Sequence, residues 1–216
     1  MASSLVNGAL IAIAGTYGTA SAISAITNAS PAVATLAAAH GVVVGDQIEV
    51  TSGWQGIDGR VVRVSAVSTN DVTLEGVDTT DLLKYPAGTG TGSAREITAW
   101  QNIPQILDPK SSGGTQQFLT YQFLNQDRQT KVPTFQDAVD ITLLTHDDPS
   151  LPHHAIIMAA QAVGSLRGFR IVMRDGKKYF GNGYWSIQQV PEFNINDMVK
   201  RTITLAVVGD ISSYLS

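Results

Sequence analysis

A chain of 216 residues is long enough to bury one sizeable core or two small ones. Its formal net charge is −4, only 15% of its residues are charged against 44% hydrophobic, and it has no cysteine. This excludes disulfide staples, thiol chemistry and cysteine-ligated zinc, and it leaves no basic tract for gripping nucleic acid. Soluble domains usually carry about 25% charge, so a folded chain this poor in charge fits one that hides surface against copies of itself.

The charge is unevenly spread. Residues 1–45 carry none, residues 46–84 hold seven acids against three bases, and residues 85–216 hold eleven of each. No run reaches the roughly 20 apolar residues that span a bilayer. Leu5 to Ala14 is apolar, but no Lys or Arg precedes it and Asn7 and Gly8 interrupt it. It therefore reads as a strand ending at Gly15 rather than as a signal-peptide core. The Ala-rich stretch that follows predicts a short helix at 31–39, with Pro31 in its first turn and Gly41 as its stop.

Residues 40–84 read as a small β-rich unit. Strands are expected at Gln47–Thr51, Arg60–Val67 and Asp71–Glu75, with a tight polar turn at Ser68–Asp71. Three short strands are marginal alone and must lean on the rest of the chain. YPAGTGTGS at 85–93 reads as a loop. Strands follow at 94–100 and 102–107, and KSSGG at 110–114 as a turn. A further strand at 115–124 leads into the polar NQDRQTKVPT stretch at 125–134, which reads as an exposed loop.

The last 80 residues have the cleanest pattern. Asp137–Leu144 alternates as a strand does. Asp148-Pro149 predicts the start of a helix running to Val163, with Asp148 as N-cap and Leu151, Ala155, Met158, Ala159 and Ala162 as its apolar stripe. Arg167 is expected near the negative end of that helix. Strands at 169–174 and 177–190 flank an Asp175-Gly176 hairpin turn, and Val199–Val208 is the last strand, with Gly209-Asp210 as a turn after it. The organisation expected is an N-terminal strand and Ala-rich arm at 1–39, a β-rich insertion at 40–84 and a β-sandwich core at 85–216, which the first strand joins.

Chemistry-bearing patterns are sparse. His146, Asp147, Asp148, His153 and His154 cluster in sequence, but they do not match H-E-x-x-H, and adjacent His153 and His154 diverge by about 100° on a helix. GTGTGS at 88–93 lacks the G-K-[ST] of a phosphate loop and the strand–helix context of a dinucleotide fold. No serine sits in a G-x-S-x-G elbow. Asp78 and Asp81 read as a solvated acidic turn, and Trp54, Trp100 and Trp185 as packing residues. No catalytic residue, cofactor site or metal site is expected.

The order of the C-terminal elements is familiar. FRIVMRDGKKYFGNGYWSIQQVPEFNINDMVKRTITLAVVG resembles the C-terminal part of major tail tube proteins of long-tailed, double-stranded DNA bacteriophages. The elements carrying the likeness are strand Arg170–Arg174, turn Asp175-Gly176, Gly183–Ile187 and the closing Lys200–Gly209. Upstream, HGVVVGDQIEVTSGW, GRVVRV, LEGVDTTD, YPAGTGTGSAREITAW and QFLTYQFLNQDRQTKVPT resemble one branch of phage tail proteins, so the likeness covers most of residues 40–210.

The resemblance implies a mainly β fold, a sandwich or barrel-like tube fold with one flanking α-helix. Six subunits would close a ring, and rings would stack around a channel through which DNA passes without sequence-specific contact. By position, Asn125, Gln126, Asp127, Arg128, Gln129, Thr130 and Lys131 match the loop that reaches an adjacent ring, while residues 40–84 do not match the minimal family domain. The implied partners are further copies of the chain, a terminator, a tape measure and a sheath. The implied location is the virion tail, assembled in the host cytoplasm. The alternatives are another tail component, such as a terminator or connector, and a carbohydrate- or receptor-binding β module using Trp54 and Trp185.

Overall fold

A computed structural model describes residues 7–215. The first strand expected from the sequence began at Leu5; Leu5 and Val6 lie outside the described residues. From Leu10 the expectation is met by β1 (Leu10–Tyr17), which places Ile11, Ile13 and Ala14 in the interior.

The next six strands close on themselves. They are β2 (Ser21–Ile26), β3 (Ala32–Leu36), β4 (Gln47–Ser52), β5 (Arg60–Ser68), β6 (Asp71–Leu74) and β7 (Gly92–Asn102). Their order is β2-β3-β6-β5-β4-β7, and β2 pairs back onto β7 to complete a barrel. Period-2 alternation turns Ala32, Ala34 and Leu36 inward with Ile48, Val50, Val62, Val64, Val72 and Leu74. The barrel takes strands from both sides of residue 40 and shares β7 with the rest of the molecule.

The short helix expected at 31–39 is therefore wrong. Its alanines prefer a helix in isolation, but β3 is hydrogen-bonded on both sides, to β2 and to β6. Small alternating side chains are what the interior of so narrow a barrel admits, and tertiary pairing outweighs the few tenths of a kcal/mol per residue of helix propensity.

After β7 the chain makes β8 (Ile106–Gly113), then a separate hairpin of β9 (Gln116–Tyr121) and β10 (Thr130–Gln136). It continues through β11 (Val139–His146), α1 (Pro152–Val163), β12 (Leu166–Val172), β13 (Lys178–Ile187) and β14 (Lys200–Tyr214). From β7 an antiparallel sheet runs on in the order β1-β12-β13-β14-β11-β8 and ends at β8. Its inner face packs Ile13, Ile141, Leu143, Phe169, Trp185, Ile203 and Leu205 together with Ile157 of α1. Gly181 is part of this packing, because a Cβ there would strike the Phe169 ring.

The helix is shorter than expected and turned differently. It starts at Pro152 with Leu151 as N-cap and no side-chain cap, so Asp148 does not cap it. Asp148 accepts hydrogen bonds from the Ser150 N–H (3.1 Å) and hydroxyl (2.6 Å), making a local turn instead. Pro152 takes the first-turn position where a missing N–H costs nothing. The buried face is His153, Ile157 and Ala160, while Met158 of the expected stripe is exposed. The expected stripe is the solvent face: Ala155, Ala159 and Ala162 are exposed, and their small apolar side chains imitated a buried stripe. Gly164 ends the helix in the left-handed conformation, just past the expected last residue Val163. Arg167 does not face the helix end; it donates to the Ala14 and Gly15 carbonyls of β1.

β14 is longer than expected. It passes Gly209, whose φ of 73° accompanies a register shift against β13, and continues to Tyr214. The extension stitches sheet to barrel. The Tyr214 hydroxyl donates to the Glu75 carbonyl and accepts from the Arg63 N–H, Arg63 stacks on its ring at 4.6 Å, and Arg60 donates to Ser212. A second joint lies at Tyr17 of β1, whose hydroxyl accepts from the Gly168 N–H while Arg95 stacks on its ring at 3.9 Å and pairs with buried Glu49. Burial first, and then the Glu49 charge, push the Tyr17 hydroxyl up to about 12.

Candidate assembly surfaces

The residues that looked most chemical in the sequence are held by structural partners. Asp147 forms an ion pair with Arg201 of β14: an Arg201 Nη donates to Asp147 Oδ2 at 3.1 Å, Nε lies 2.7 Å from Oδ1, and the third Arg201 nitrogen lies 3.1 Å from His154 Nε2. Arg201 and Asp147 are almost wholly buried, so this network fixes the β11–α1 turn onto β14. His153 points into the core, and burial, helped by His154, holds its imidazole below the usual histidine range. Hydrogen bonds from Ser150 hold the Asp148 carboxyl below the usual range. Among the described residues no group of three or more His, Asp and Glu is arranged to hold a metal.

The remaining candidates are equally accounted for. Trp54 is buried in the barrel, donating to the Pro86 carbonyl and the Thr89 hydroxyl. The GTGTGS loop is its cover: a Cβ on Gly90 would collide with the Trp54 ring. Trp185 is buried and donates to the Arg167 carbonyl, and Trp100 donates to Gln47. No aromatic platform is left for a sugar at Trp54 or Trp185. Asp78 and Asp81 accept from the N–H groups of Thr80 and Leu83, closing local turns.

What the molecule does display is a projecting arm. β9 and β10 pair only with each other among the described residues, and every side chain of β10 is exposed. Asn125, Gln126, Asp127, Arg128 and Gln129 lie at its tip, and Thr130 and Lys131 open β10. The expected loop at 125–134 is thus half strand. Pro133 is tolerated there because a two-stranded ribbon leaves one side of each strand unpaired.

The arm leaves the sheet at Gly113 and Gly114, both at positive φ. A Cβ on Gly113 would run into the Ala138 carbonyl, so the sharp exit depends on glycine. The arm is also apolar: Phe118, Leu119, Phe123, Leu124, Val132 and Phe135 are all exposed. Reading 125–134 as polar overlooked these flanking residues.

A second apolar cluster lies in the loop between β13 and β14, where Val190, Phe193, Ile195 and Met198 are exposed. Third, β8 ends the sheet with one side unpaired among the described residues, and most of its side chains are exposed. Unpaired strands and contiguous exposed apolar residues are the usual marks of an interaction surface.

No curated protein sequence matches the chain. Among solved structures, a similar one is the tube-terminating cap of the anti-feeding prophage, determined by electron cryomicroscopy. It is 18% identical, with a TM-score of 0.39, over 53% of this chain and 83% of that one. The sequence profile of the family described as phage tail tube protein, TTP, matches residues 52–216, from the end of β4 through the arm, the helix and the whole C-terminal sheet. The chain belongs to the phage tail tube protein family.

Proposed function

We propose that the chain is the repeating subunit of a phage tail tube. Six copies close a ring, rings stack, and the channel they enclose delivers the genome. The observation that carries this reading is the arm: a hairpin with bulky apolar side chains on a solvated ribbon, which an isolated subunit has no reason to keep. Residues Asn125–Lys131 at its end reach the adjacent ring, and the unpaired side of β8 continues into a neighbour within the ring. Ring closure and stacking are heterologous contacts, which suits two different unsatisfied surfaces on one chain. A terminator, a tape measure and a sheath are the further partners this role entails, and the role requires no catalysis.

Negative-stain electron microscopy of the concentrated protein tests it. Rings or tubes are expected; a monomer at all concentrations, even with tail-initiating proteins added, would falsify the reading. The arm can be removed cleanly because Gly113 and Val139 are antiparallel partners. Replacing residues 114–138 by Asn-Gly supplies a two-residue hairpin turn. The melting transition is expected to stay close to wild type while stacking is lost. Tubes that form as well without the arm would remove its assigned role.

A further inference from the structure

The two exposed apolar clusters sit at opposite ends of the same sheet. β11 pairs with β14 so that His146 lies against Lys200 and Asp140 against Ala206. The β13–β14 loop therefore closes the end at His146 and Lys200. The arm leaves from the other end, where Val139 pairs with Gly113. A strand the length of β11 separates the two ends by roughly 25 Å.

We infer that the β13–β14 loop is the receptor for the arm of a second copy, so that Phe193 and Ile195 of one ring seat the arm of the next. This rests on the stacking reading above and names the surface that the arm meets. An arm at one end and its receptor at the other make a head-to-tail contact that repeats without closing, as an extending stack requires. The receptor loop has the composition for it. Ile195 is 95% exposed and Phe193 is 69% exposed, flanked by Val190 and Met198.

The loop is also held in place rather than hanging free. Glu192 and Lys200 bond across its base, and Asp197 is paired with Lys200. Charge complements shape at the tip: over residues 125–131 Arg128 and Lys131 outweigh Asp127, while exposed Glu192, which has no ion-pair partner among the described residues, stands beside Phe193. The partner this surface fits is therefore the same chain, displaced along one axis.

The test uses two defective proteins. Phe193→Asp with Ile195→Asp spoils the receptor and leaves the arm; Phe118→Asp with Leu124→Asp spoils the arm and leaves the receptor. All four positions are exposed, so circular dichroism is expected to match wild type. By sedimentation velocity each variant alone forms single rings, with stacking weakened at least tenfold. Mixed in equal amounts, the two retain one good arm–receptor contact per pair of rings, so two-ring stacks appear and stop there.

A receptor variant that elongates like wild type, or a mixture that gives no two-ring species, overturns the inference while leaving wild-type tubes, and hence the role itself, standing. Wild-type protein that never forms rings overturns both. A second measurement does not depend on disruptive substitutions, because the chain has no cysteine. Leu124→Cys combined with Ile195→Cys, treated with a bis-maleimide, is expected to give a covalent ladder, and each single variant to stay monomeric on a denaturing gel. Dimers from either single variant would indicate a contact of like with like and overturn the proposal.

Discussion

The barrel and the open sheet solve the problem of the sheet edge in opposite ways. In the barrel β2 returns to β7, so every strand has two neighbours. Strands β2 to β6 expose no large aliphatic or aromatic side chain; the exposed Val43, Val44, Leu82 and Leu83 lie in connecting loops. The open sheet instead ends, among the described residues, at β8 with one side unpaired, extends an apolar arm from one end and presents an apolar loop at the other. A barrel that satisfies its own hydrogen bonds is complete in one subunit, whereas the edge of the open sheet leaves backbone groups that another strand could pair. Substitutions in the barrel should therefore act on folding, and substitutions at the rim of the open sheet on assembly.

The largest effect that separates the two regions is expected at Trp54. Trp54→Ala empties the barrel floor and removes two hydrogen bonds, at a cost of about 3–5 kcal/mol in denaturant unfolding. Phe118→Asp with Leu124→Asp, by contrast, is expected to shift unfolding by less than about 0.5 kcal/mol while removing stacking. If the arm variant destabilises the isolated subunit as much as Trp54→Ala does, the division between a self-sufficient barrel and a contact-dependent rim fails.

Next in size is the Asp147–Arg201 pair, which anchors the receptor end of the open sheet. Asp147→Ala leaves the Arg201 guanidinium buried with its main partner gone, a loss of about 3 kcal/mol. Adding Arg201→Met to that variant is expected to restore most of it, because an apolar side chain of similar length has no charge to compensate. A double variant as unstable as the single one would mean that the pair contributes more than mutual neutralisation.

The legibility of these regions in the sequence differed for the same reason that their energetics differ. The C-terminal strands were readable because alternation such as Ile141/Leu143 and Ile203/Leu205 is a local record of one buried face. β3 was not, because Ala-Val-Ala-Thr-Leu becomes a strand only when β2 and β6 flank it, and that pairing is not local. The helix was found and its end at Val163 is met, but its start was set too early, since Pro149 and Pro152 offer two first-turn positions and only packing selects the second. The arm was half read: its polar tip marked an exposed loop, while nothing in the sequence shows that Phe118 and Phe135 on either side of it are exposed. Arg201 is the one charge on a strand face it shares with Ile203, Leu205 and Val207. Its bond to Asp147 spans 54 positions, beyond the reach of any spacing rule.

The smallest expected effect is acid-dependent and belongs to the joint between the two regions. Hydrogen bonds from Arg63 hold the Glu75 carboxyl below the usual range, although burial works against them. Its folded value is therefore lower than its unfolded one. The stability it contributes is present above the ordinary glutamate value of about 4.3 and is lost as pH falls through the depressed folded value. The two side chains remain 23% and 32% exposed, so solvent screening limits the contribution to less than about 1 kcal/mol. Urea midpoints of wild type and Glu75→Gln measured at pH 6 and pH 3 resolve it. Wild type should lead at pH 6, and the lead should shrink at pH 3. Because Arg63 also stacks on Tyr214, the loss should loosen the end of β14 from β5 before it opens the barrel, visible as faster amide exchange at Ser212–Tyr214 than at Val62. Equal acid sensitivity at both places would mean that the joint and the barrel unfold as one unit, and that the two regions differ in their surfaces but not in their cooperativity.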